Sequence, residues 1–248
     1  MPYHSNTLKN NSLKEVKCDK CGLYNLCNLA GLDADESSFD SIVERRKNIN
    51  SSDYLYHAND SFTGIFSVKS GMFKSIICFD DDREQIIDFH LPGELIGLEA
   101  INKGVYLQSV IAIENSSVCD MNFAEMEKLD DKLTAFQSSV IQAASDKISL
   151  DQAQSLLIGA QSAEQRLAIF LISIFSRLQS HDMHAHRFKM PVRKDIANYL
   201  GLAMETVCRI LKSFENSHLI ENKGRHIKLC DFHGIQKLAG LVKYNSEN

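Results

Sequence analysis

A change of residue pattern near Met126 divides the 248-residue chain and constrains its fold. Before this point, short segments rich in β-branched and aromatic residues alternate with turn-forming pieces, as in YLYHA, GIFSVKSG and EQIIDFH. After it, apolar residues recur with helical spacing over a long stretch without proline, and glycine first returns at Gly159. The sequence therefore predicts a small β-barrel or β-roll over residues 54–123, followed by a long helix.

The long helix carries a seam of regularly spaced residues. Its members alternate steps of three and four residues: Ile141, Ala144, Ile148, Asp151, Ser155 and Ile158. These are the a and d positions of a two-stranded coiled coil and predict a homodimer, although the same residues also suit packing on the barrel. Asp151 is the exception, because a two-fold interface brings its charge against its own copy and weakens the dimer.

The C-terminal part has the spacing of a helix-turn-helix. We expect a helix from about Arg193 to Leu200, a tight turn at Gly201 and a second helix from about Met204 to Asn216. The segment ENKGRHIKL that follows predicts a hairpin. We expect this hairpin to be a wing whose tip lies along the phosphate backbone of DNA.

Three residues of the second helix, Glu205, Cys208 and Arg209, share one face and fit the major groove of DNA. Glu205 suits cytosine N4, and Arg209 suits guanine O6 and N7. The residues expected to contact phosphates are basic: Arg193, Lys194, Lys212, Lys223, Arg225 and Lys228. The alternative is a surface Glu–Arg pair of little consequence, and the preceding basic helix and turn argue against it.

Charge is unevenly distributed along the chain. The formal net charge is −5, but residues 1–161 hold 14 basic and 24 acidic residues, whereas residues 162–248 hold 13 and 8. The two parts therefore carry −10 and +5. A basic C-terminal part on an acidic body favours a local contact with a polyanion.

The spacing of N-terminal cysteines predicts a metal site. Cys18, Cys21 and Cys27 lie within ten residues, and Cys119 supplies a fourth thiolate. Four thiolates hold an iron–sulfur cluster or a tetrahedral zinc ion, so the spacing leaves both open. Seven cysteines, with neither a signal peptide nor a membrane-length apolar run, indicate a cytoplasmic protein with reduced thiols and no disulfide framework.

Several motifs together resemble the FNR branch of the CRP/FNR superfamily of bacterial regulators. They are CDKCGLYNLC with the distant Cys119, EQIIDFHLPGELIGLEAI, SAEQRLAIFL and DIANYLGLAMETVCRIL. The resemblance implies an α+β fold with a cyclic-nucleotide-binding-like β-roll, a long dimerisation helix and a C-terminal winged helix-turn-helix. We expect a cysteine-rich segment at 1–30, the β-roll at 31–128, the dimerisation helix at 129–160 and the DNA-binding domain at 161–248.

The resemblance also implies a non-enzymatic function. In that family a [4Fe–4S] cluster assembled without oxygen favours a homodimer that binds promoter DNA, and oxygen returns the protein to a weakly binding monomer. The implied ligands are Cys18, Cys21, Cys27 and Cys119, and the implied seam includes Ile141, Ile148, Asp151 and Ile158. RNA polymerase is the expected protein partner, with the Asp80 to Arg83 turn as a candidate contact. The alternative is the same architecture with a zinc or empty cysteine site that oxygen does not gate.

A cyclic-nucleotide receptor is the rival within the superfamily. Its pocket needs an arginine beside a serine, soon after Gly93-Glu94-Leu95, to bind the cyclic phosphate. No arginine occurs between Arg83 and Arg166, so we expect no cyclic nucleotide.

Two departures from the family pattern concern DNA binding. Cys208 stands in place of a serine in the base-reading motif, which replaces a strong hydrogen-bonding hydroxyl with a weak thiol. Ala203 stands where a serine or threonine commonly caps the helix. We therefore expect an altered base preference and weaker binding.

Overall fold

The computed structural model describes residues 15–21, 43–123, 133–155, 162–180 and 187–240. Its N-terminal body has two four-stranded antiparallel sheets, ordered β1-β8-β3-β6 and β2-β7-β4-β5. The strands are β1 (Val43–Ile49), β2 (Tyr54–Tyr56), β3 (Gly64–Ser70), β4 (Phe73–Cys78), β5 (Glu84–His90), β6 (Leu95–Ile96), β7 (Ser109–Ala112) and β8 (Ser116–Asn122).

The two sheets enclose an aromatic core. Tyr56 and Tyr106 stack with ring centroids 3.7 Å apart, and Phe66 is buried beside them. At the turn between β3 and β4, Gly71 has a φ of 84°, and a Cβ there would lie 2.1 Å from the Ser116 Oγ. Only glycine fits this close approach. The β-roll predicted from the strand pattern is confirmed.

The C-terminal part is mainly helical. Helix α1 (Leu133–Ser155) is followed by α2 (Ala163–Ser180), α3 (Arg193–Leu200), α4 (Met204–Asn216) and α5 (Phe232–Leu238). Strands β9 (Arg187–Lys189), β10 (Ile220–Lys223) and β11 (His226–Leu229) form a sheet of order β10-β11-β9. Within the part of the chain that the structure describes, none of the helices has the length and apolar character that crossing a membrane requires.

Helices α3 and α4 form the helix-turn-helix, and their bounds match those predicted. Gly201 ends α3 with a φ of 63°, and its N–H donates to the Ala197 and Asn198 carbonyls. The left-handed conformation suits glycine and turns the chain towards α4. Strands β10 and β11 form the predicted hairpin.

Two strands lie outside the sequence prediction. Strand β1 reads VERRKNI, with four charged residues and no apolar alternation, and it occupies one edge of its sheet. An edge strand tolerates this polarity because only one side pairs with a neighbour. Strand β9 has three residues, too few to set a pattern, and it directly follows the His-rich connection at 181–186, which lies outside the described residues.

The C-terminal domain docks on edge strand β5. The Asn198 side chain donates to the Glu84 carbonyl at 2.8 Å and accepts from the Ile86 N–H at 2.7 Å. Beside it, the rings of Phe89, Phe170 and Tyr199 pack with centroids 5.2 to 5.8 Å apart. The hydrogen bonds pair backbone groups that the edge strand β5 would otherwise leave unpaired. The rings belong to one apolar core that extends across both domains. The helix-turn-helix is therefore held in a defined position on the β-roll.

Candidate functional site

Helix α4 presents to solvent the three residues predicted to read bases. Glu205, Cys208 and Arg209 are all exposed, whereas Val207 and Ile210 are buried in the domain core. Spacings of three and four residues place the exposed set on one helical face. The geometry therefore leaves that face accessible to a nucleic acid, and the base contacts themselves stay a prediction.

The N-terminus of α4 lacks a side-chain cap. Ala203 occupies the N-cap position with φ −71° and ψ 144°, and no side-chain hydrogen bond is made there. The extended backbone is the conformation in which a serine hydroxyl accepts from an N–H of the first turn. The missing cap is thus a consequence of the residue type and not of the backbone.

We expect Ala203→Ser to raise the free energy of unfolding by about 1 kcal/mol, because the hydroxyl satisfies one unpaired N–H. Urea unfolding followed by circular dichroism measures the change. Ala203→Val is the matched control, since valine caps no better than alanine. Equal stabilisation by both variants would contradict the capping explanation.

Two predicted phosphate-binding residues, Arg193 and Arg225, are pre-positioned beside the wing. Arg193 Nη2 donates to Asn222 Oδ1 at 2.9 Å and to the Gly224 carbonyl at 3.2 Å. Arg225 Nε donates to the Met190 carbonyl at 2.9 Å. These bonds hold each guanidinium in place before any ligand arrives.

The same arginines each keep a buried donor without a partner. Among the described residues, Arg193 Nη1 and Arg225 Nη2 make no hydrogen bond. Burial and the nearby charge of Arg225 lower the pKa of Arg193, against the opposing effect of Cys208. A phosphate bound beside the two guanidinium groups would relieve the repulsion between these cations.

The predicted lysine contacts lie on the surface of the same domain. Lys194 and Lys223 are exposed, Lys212 pairs with Glu215 at 2.8 Å, and Lys228 lies 3.5 Å from Glu221. Exposed ion pairs of this kind contribute little to stability. Lys212 and Lys228 can therefore exchange a carboxylate partner for a phosphate at small cost.

Two of the four predicted metal ligands approach one face of the β-roll. Cys119 on β8 lies directly opposite Ser67 on β3, and opposite residues of an antiparallel pair project from the same face. The Cys21 Sγ lies 2.9 Å from the Ser67 Oγ. Ser67 is therefore a neighbour common to both cysteines, and no motif or spacing in the sequence pointed to this role.

The segment that carries Cys21 is anchored on β3. The Val16 N–H donates to the Lys69 carbonyl at 3.0 Å, and the Val16 side chain is only 2% exposed. Cys18 begins the 3-10 turn Cys18–Lys20, but its side chain lies outside what the structure describes, as does the whole of Cys27. Within the described ranges no group of three or more candidate ligands occurs, so the four-thiolate site stays a prediction.

Helix α1 exposes part of the predicted seam. Ile141 is 69% exposed and Ile148 is 57% exposed, while Ile158 lies outside the described residues. Two large aliphatic side chains seven residues apart on one helix fit a helical partner. Asp151 does not stand alone, because the Lys147 Nζ lies 2.6 Å from its Oδ1. The seam assignment itself stays a prediction.

A buried charge cluster that the sequence did not reveal joins the β-roll to α2. Arg177 is 7% exposed, and its Nε and Nη2 each lie 2.6 Å from one carboxylate oxygen of Glu94. Arg177 also donates to the Phe89 carbonyl. Burial raises the pKa of Asp88, but Arg177, His90 and Lys147 outweigh it and lower the value to about 2. Asp88 is therefore ionised inside the domain interface.

A cavity of about 720 Å³ lies between the β-roll, α1 and the C-terminal domain. Its lining includes Ile86, Asp88, Leu95, Lys147, Asp151 and Tyr199. The cavity also reaches the β-roll segment at 95–99, which directly follows Gly93-Glu94.

Two protein-family models match most of the described chain. The cyclic nucleotide-binding domain matches residues 46–132, and the Crp-like helix-turn-helix domain matches residues 165–238. The transcriptional activator protein FnrA of Stutzerimonas stutzeri is 33% identical over 238 residues, which cover 95% of this chain and 98% of the relative. The chain belongs to the CRP/FNR family.

Further relatives of the CRP/FNR family agree over nearly the whole chain. The anaerobic regulatory protein of Haemophilus influenzae is 34% identical over 92% of this chain and 90% of its own length. The solved structure of FixK2 from Bradyrhizobium japonicum has a TM-score of 0.70 and 26% identity, covering 78% of this chain and 96% of that one. These likenesses confirm the α+β fold with its β-roll and winged helix-turn-helix.

Membership in the CRP/FNR family identifies the protein as a DNA-binding transcription regulator. The family consists of transcription regulators and not of enzymes, and its regulators are dimeric. Both statements agree with the helix-turn-helix and the exposed aliphatic residues of α1.

Proposed function

We propose that this regulator responds to oxygen through a [4Fe–4S] cluster that promotes dimerisation and promoter binding when oxygen is absent. The observation that carries the proposal is the approach of Cys21 and Cys119 to one residue, Ser67, on the outer face of β3 and β8. The relatives of the chain support it, since they include an anaerobic regulatory protein and a fumarate and nitrate reduction regulatory protein.

Cys18, Cys21, Cys27 and Cys119 are the residues that would hold the cluster. An all-thiolate set suits iron–sulfur chemistry, and the cluster when bound supplies an oxygen-labile centre. Ser67 supports the site, because its hydroxyl lies within hydrogen-bonding distance of the Cys21 sulfur. The anchoring of Val16 on Lys69 holds this cysteine segment close to the β-roll.

DNA recognition is assigned to the face of α4 and to the wing. Glu205, Cys208 and Arg209 would read bases, and Arg193 and Arg225 beside the wing would contact phosphates. Lys212 and Lys223 would add further phosphate contacts. The α1 seam with Ile141, Ile148, Asp151 and Ile158 would pair the two copies on a two-fold DNA site.

Two partner assignments complete the proposal. We expect the β-roll to bind no cyclic nucleotide, because no arginine occurs between Arg83 and Arg166 to hold the cyclic phosphate. The turn from Asp80 to Arg83 is the candidate contact for RNA polymerase, and the adjoining Phe79 is 48% exposed.

Anaerobic purification followed by absorption spectroscopy and by iron and sulfide analysis tests the sensor. We expect about four iron and four sulfide ions per chain and a visible absorption band that exposure to air removes. The protein purified without oxygen should be a dimer. Stoichiometric zinc, or absorption that air leaves unchanged, would show that the cysteines serve another purpose. The family membership would then stand, and the oxygen response would not.

Base reading by Arg209 has its own test. We expect Arg209→Ala to weaken binding to the preferred site by about 1–3 kcal/mol and to relax the choice of one base pair. Fluorescence anisotropy on a matched set of duplexes measures both effects. Lys223→Ala is the control, because loss of a phosphate contact weakens all duplexes alike and lowers the salt slope by about 1. A uniform loss for Arg209→Ala would assign this residue to phosphate instead.

A further inference from the structure

Lys147 lies between two carboxylates that belong to different parts of the molecule. Its Nζ is 2.5 Å from the Asp88 Oδ2 on strand β5 and 2.6 Å from the Asp151 Oδ1 one turn further along α1. The two carboxylates are thus linked through a single ammonium group. The sequence showed Asp151 as an isolated charge in a seam, and this link changes its chemical setting.

The two ends of the link differ in burial. The Asp88 side chain is 8% exposed, that of Lys147 32% and that of Asp151 54%. Asp88 is also fixed by its neighbours, since its Oδ1 accepts from the Phe89 N–H at 2.7 Å and lies 3.8 Å from the Arg177 Nη2. The β-roll therefore provides a rigid anion, and Asp151 forms the outer end.

The orientation of α1 agrees with this arrangement. Lys147, Asp151 and Ser155 follow one another at four-residue steps and all line the cavity that Asp88 also lines. Ile141 and Ile148 are exposed to solvent and are not part of this cavity lining. Asp151 therefore lies at the border between the cavity side of the helix and the seam.

We infer that Lys147 is an electrostatic latch: it joins Asp151 to Asp88, holding α1 on the β-roll of its own chain and offsetting part of the charge of Asp151 in the seam. With the latch formed, two copies of α1 approach as ion pairs and not as bare carboxylates, so the repulsion expected from Asp151 is reduced. Without it, α1 loses its charged attachment to the β-roll and Asp151 opposes the dimer. The effect on the dimer rests on the proposed dimer seam, whereas the attachment of α1 to the β-roll concerns a single chain.

The single-chain consequence is tested on the full-length, cluster-free protein at a concentration where it is monomeric. We expect Lys147→Met to raise amide hydrogen exchange of Leu133–Ser155 on the order of tenfold, and Lys147→Arg to restore slow exchange. Asp146→Asn is the matched control, because it changes an exposed charge on the same turn that has no part in the latch. Unchanged exchange in Lys147→Met, or an equal rise in Asp146→Asn, would overturn the inference.

The dimer consequence is tested by a mutant cycle on the anaerobic, cluster-loaded protein. The cycle consists of Asp88→Asn, Asp151→Asn and the double variant, made once with Lys147 present and once in the Lys147→Met background. Sedimentation gives the dimer dissociation constant of each protein. We expect the effects of the two asparagine substitutions to be non-additive by at least about threefold with Lys147 and additive without it. Additivity in both backgrounds would overturn the latch. A protein that stays monomeric throughout would contradict the proposed function, and hydrogen exchange would then decide the latch alone.

Discussion

Cys119→Ser is expected to remove the proposed cluster and with it tight anaerobic DNA binding. Serine keeps the size of the side chain on β8 but replaces a soft thiolate, so we expect the fold to be retained while one of the four proposed ligands is lost. A regulator that no longer dimerises binds each half-site separately. The resulting loss of affinity for a two-fold site is on the order of 100-fold or more.

Iron and sulfide content, sedimentation and anaerobic anisotropy together measure this outcome. Cys78→Ser is the matched control, because Cys78 is an exposed cysteine on strand β4 with no assigned ligand role. It should keep iron, dimer and DNA affinity at the level of the unmodified protein. Full iron content and tight DNA binding in Cys119→Ser would show that Cys119 is not a ligand. If the unmodified protein contains zinc and the variant loses that zinc, the zinc alternative would be established.

The helices of the DNA-binding domain follow from local signals in the sequence. Arg193 to Leu200 and Met204 to Asn216 were predicted at the bounds that the structure has, because Gly201 sets the turn and the apolar period is regular. The exposure of Glu205, Cys208 and Arg209 follows from the same period. Local chemistry therefore predicts this part of the candidate site well.

The electrostatic setting of the site could not be predicted in the same way. Asp88 reads as an ordinary polar position in an alternating strand, and Lys147 as a solvent-facing helix residue. These two residues form an ion pair although they are 59 positions apart in the sequence, and Arg177 lies 83 positions from its partner Glu94. Such pairs arise only when α1 and α2 pack on the β-roll, which no period or spacing encodes. The anchoring of Cys21 at Ser67 is another contact of this kind.

Arg177→Ala is expected to have the largest effect on stability among the charged residues of the domain interface. Alanine leaves Glu94 and Asp88 as buried carboxylates without their guanidinium partner, and breaking a buried pair in this way costs about 3–5 kcal/mol. Urea unfolding of the cluster-free protein measures the loss. Arg83→Ala is the control: its pair with Asp81 is solvent-exposed, so we expect a change within about 0.5 kcal/mol.

The dependence on pH separates lost charge pairing from lost packing. Burial opposes ionisation of Asp88, yet Arg177, His90 and Lys147 lower its pKa from 3.8 to about 2, so the folded state favours the ionised carboxylate. The stability that this provides is present above pH 3.8 and is lost as the pH falls towards 2. Because Arg177 is the largest favourable contributor, the difference in unfolding free energy between the unmodified protein and Arg177→Ala should narrow across this window. A difference that stays constant with pH would instead assign the effect to the packing of the Arg177 side chain in the domain interface.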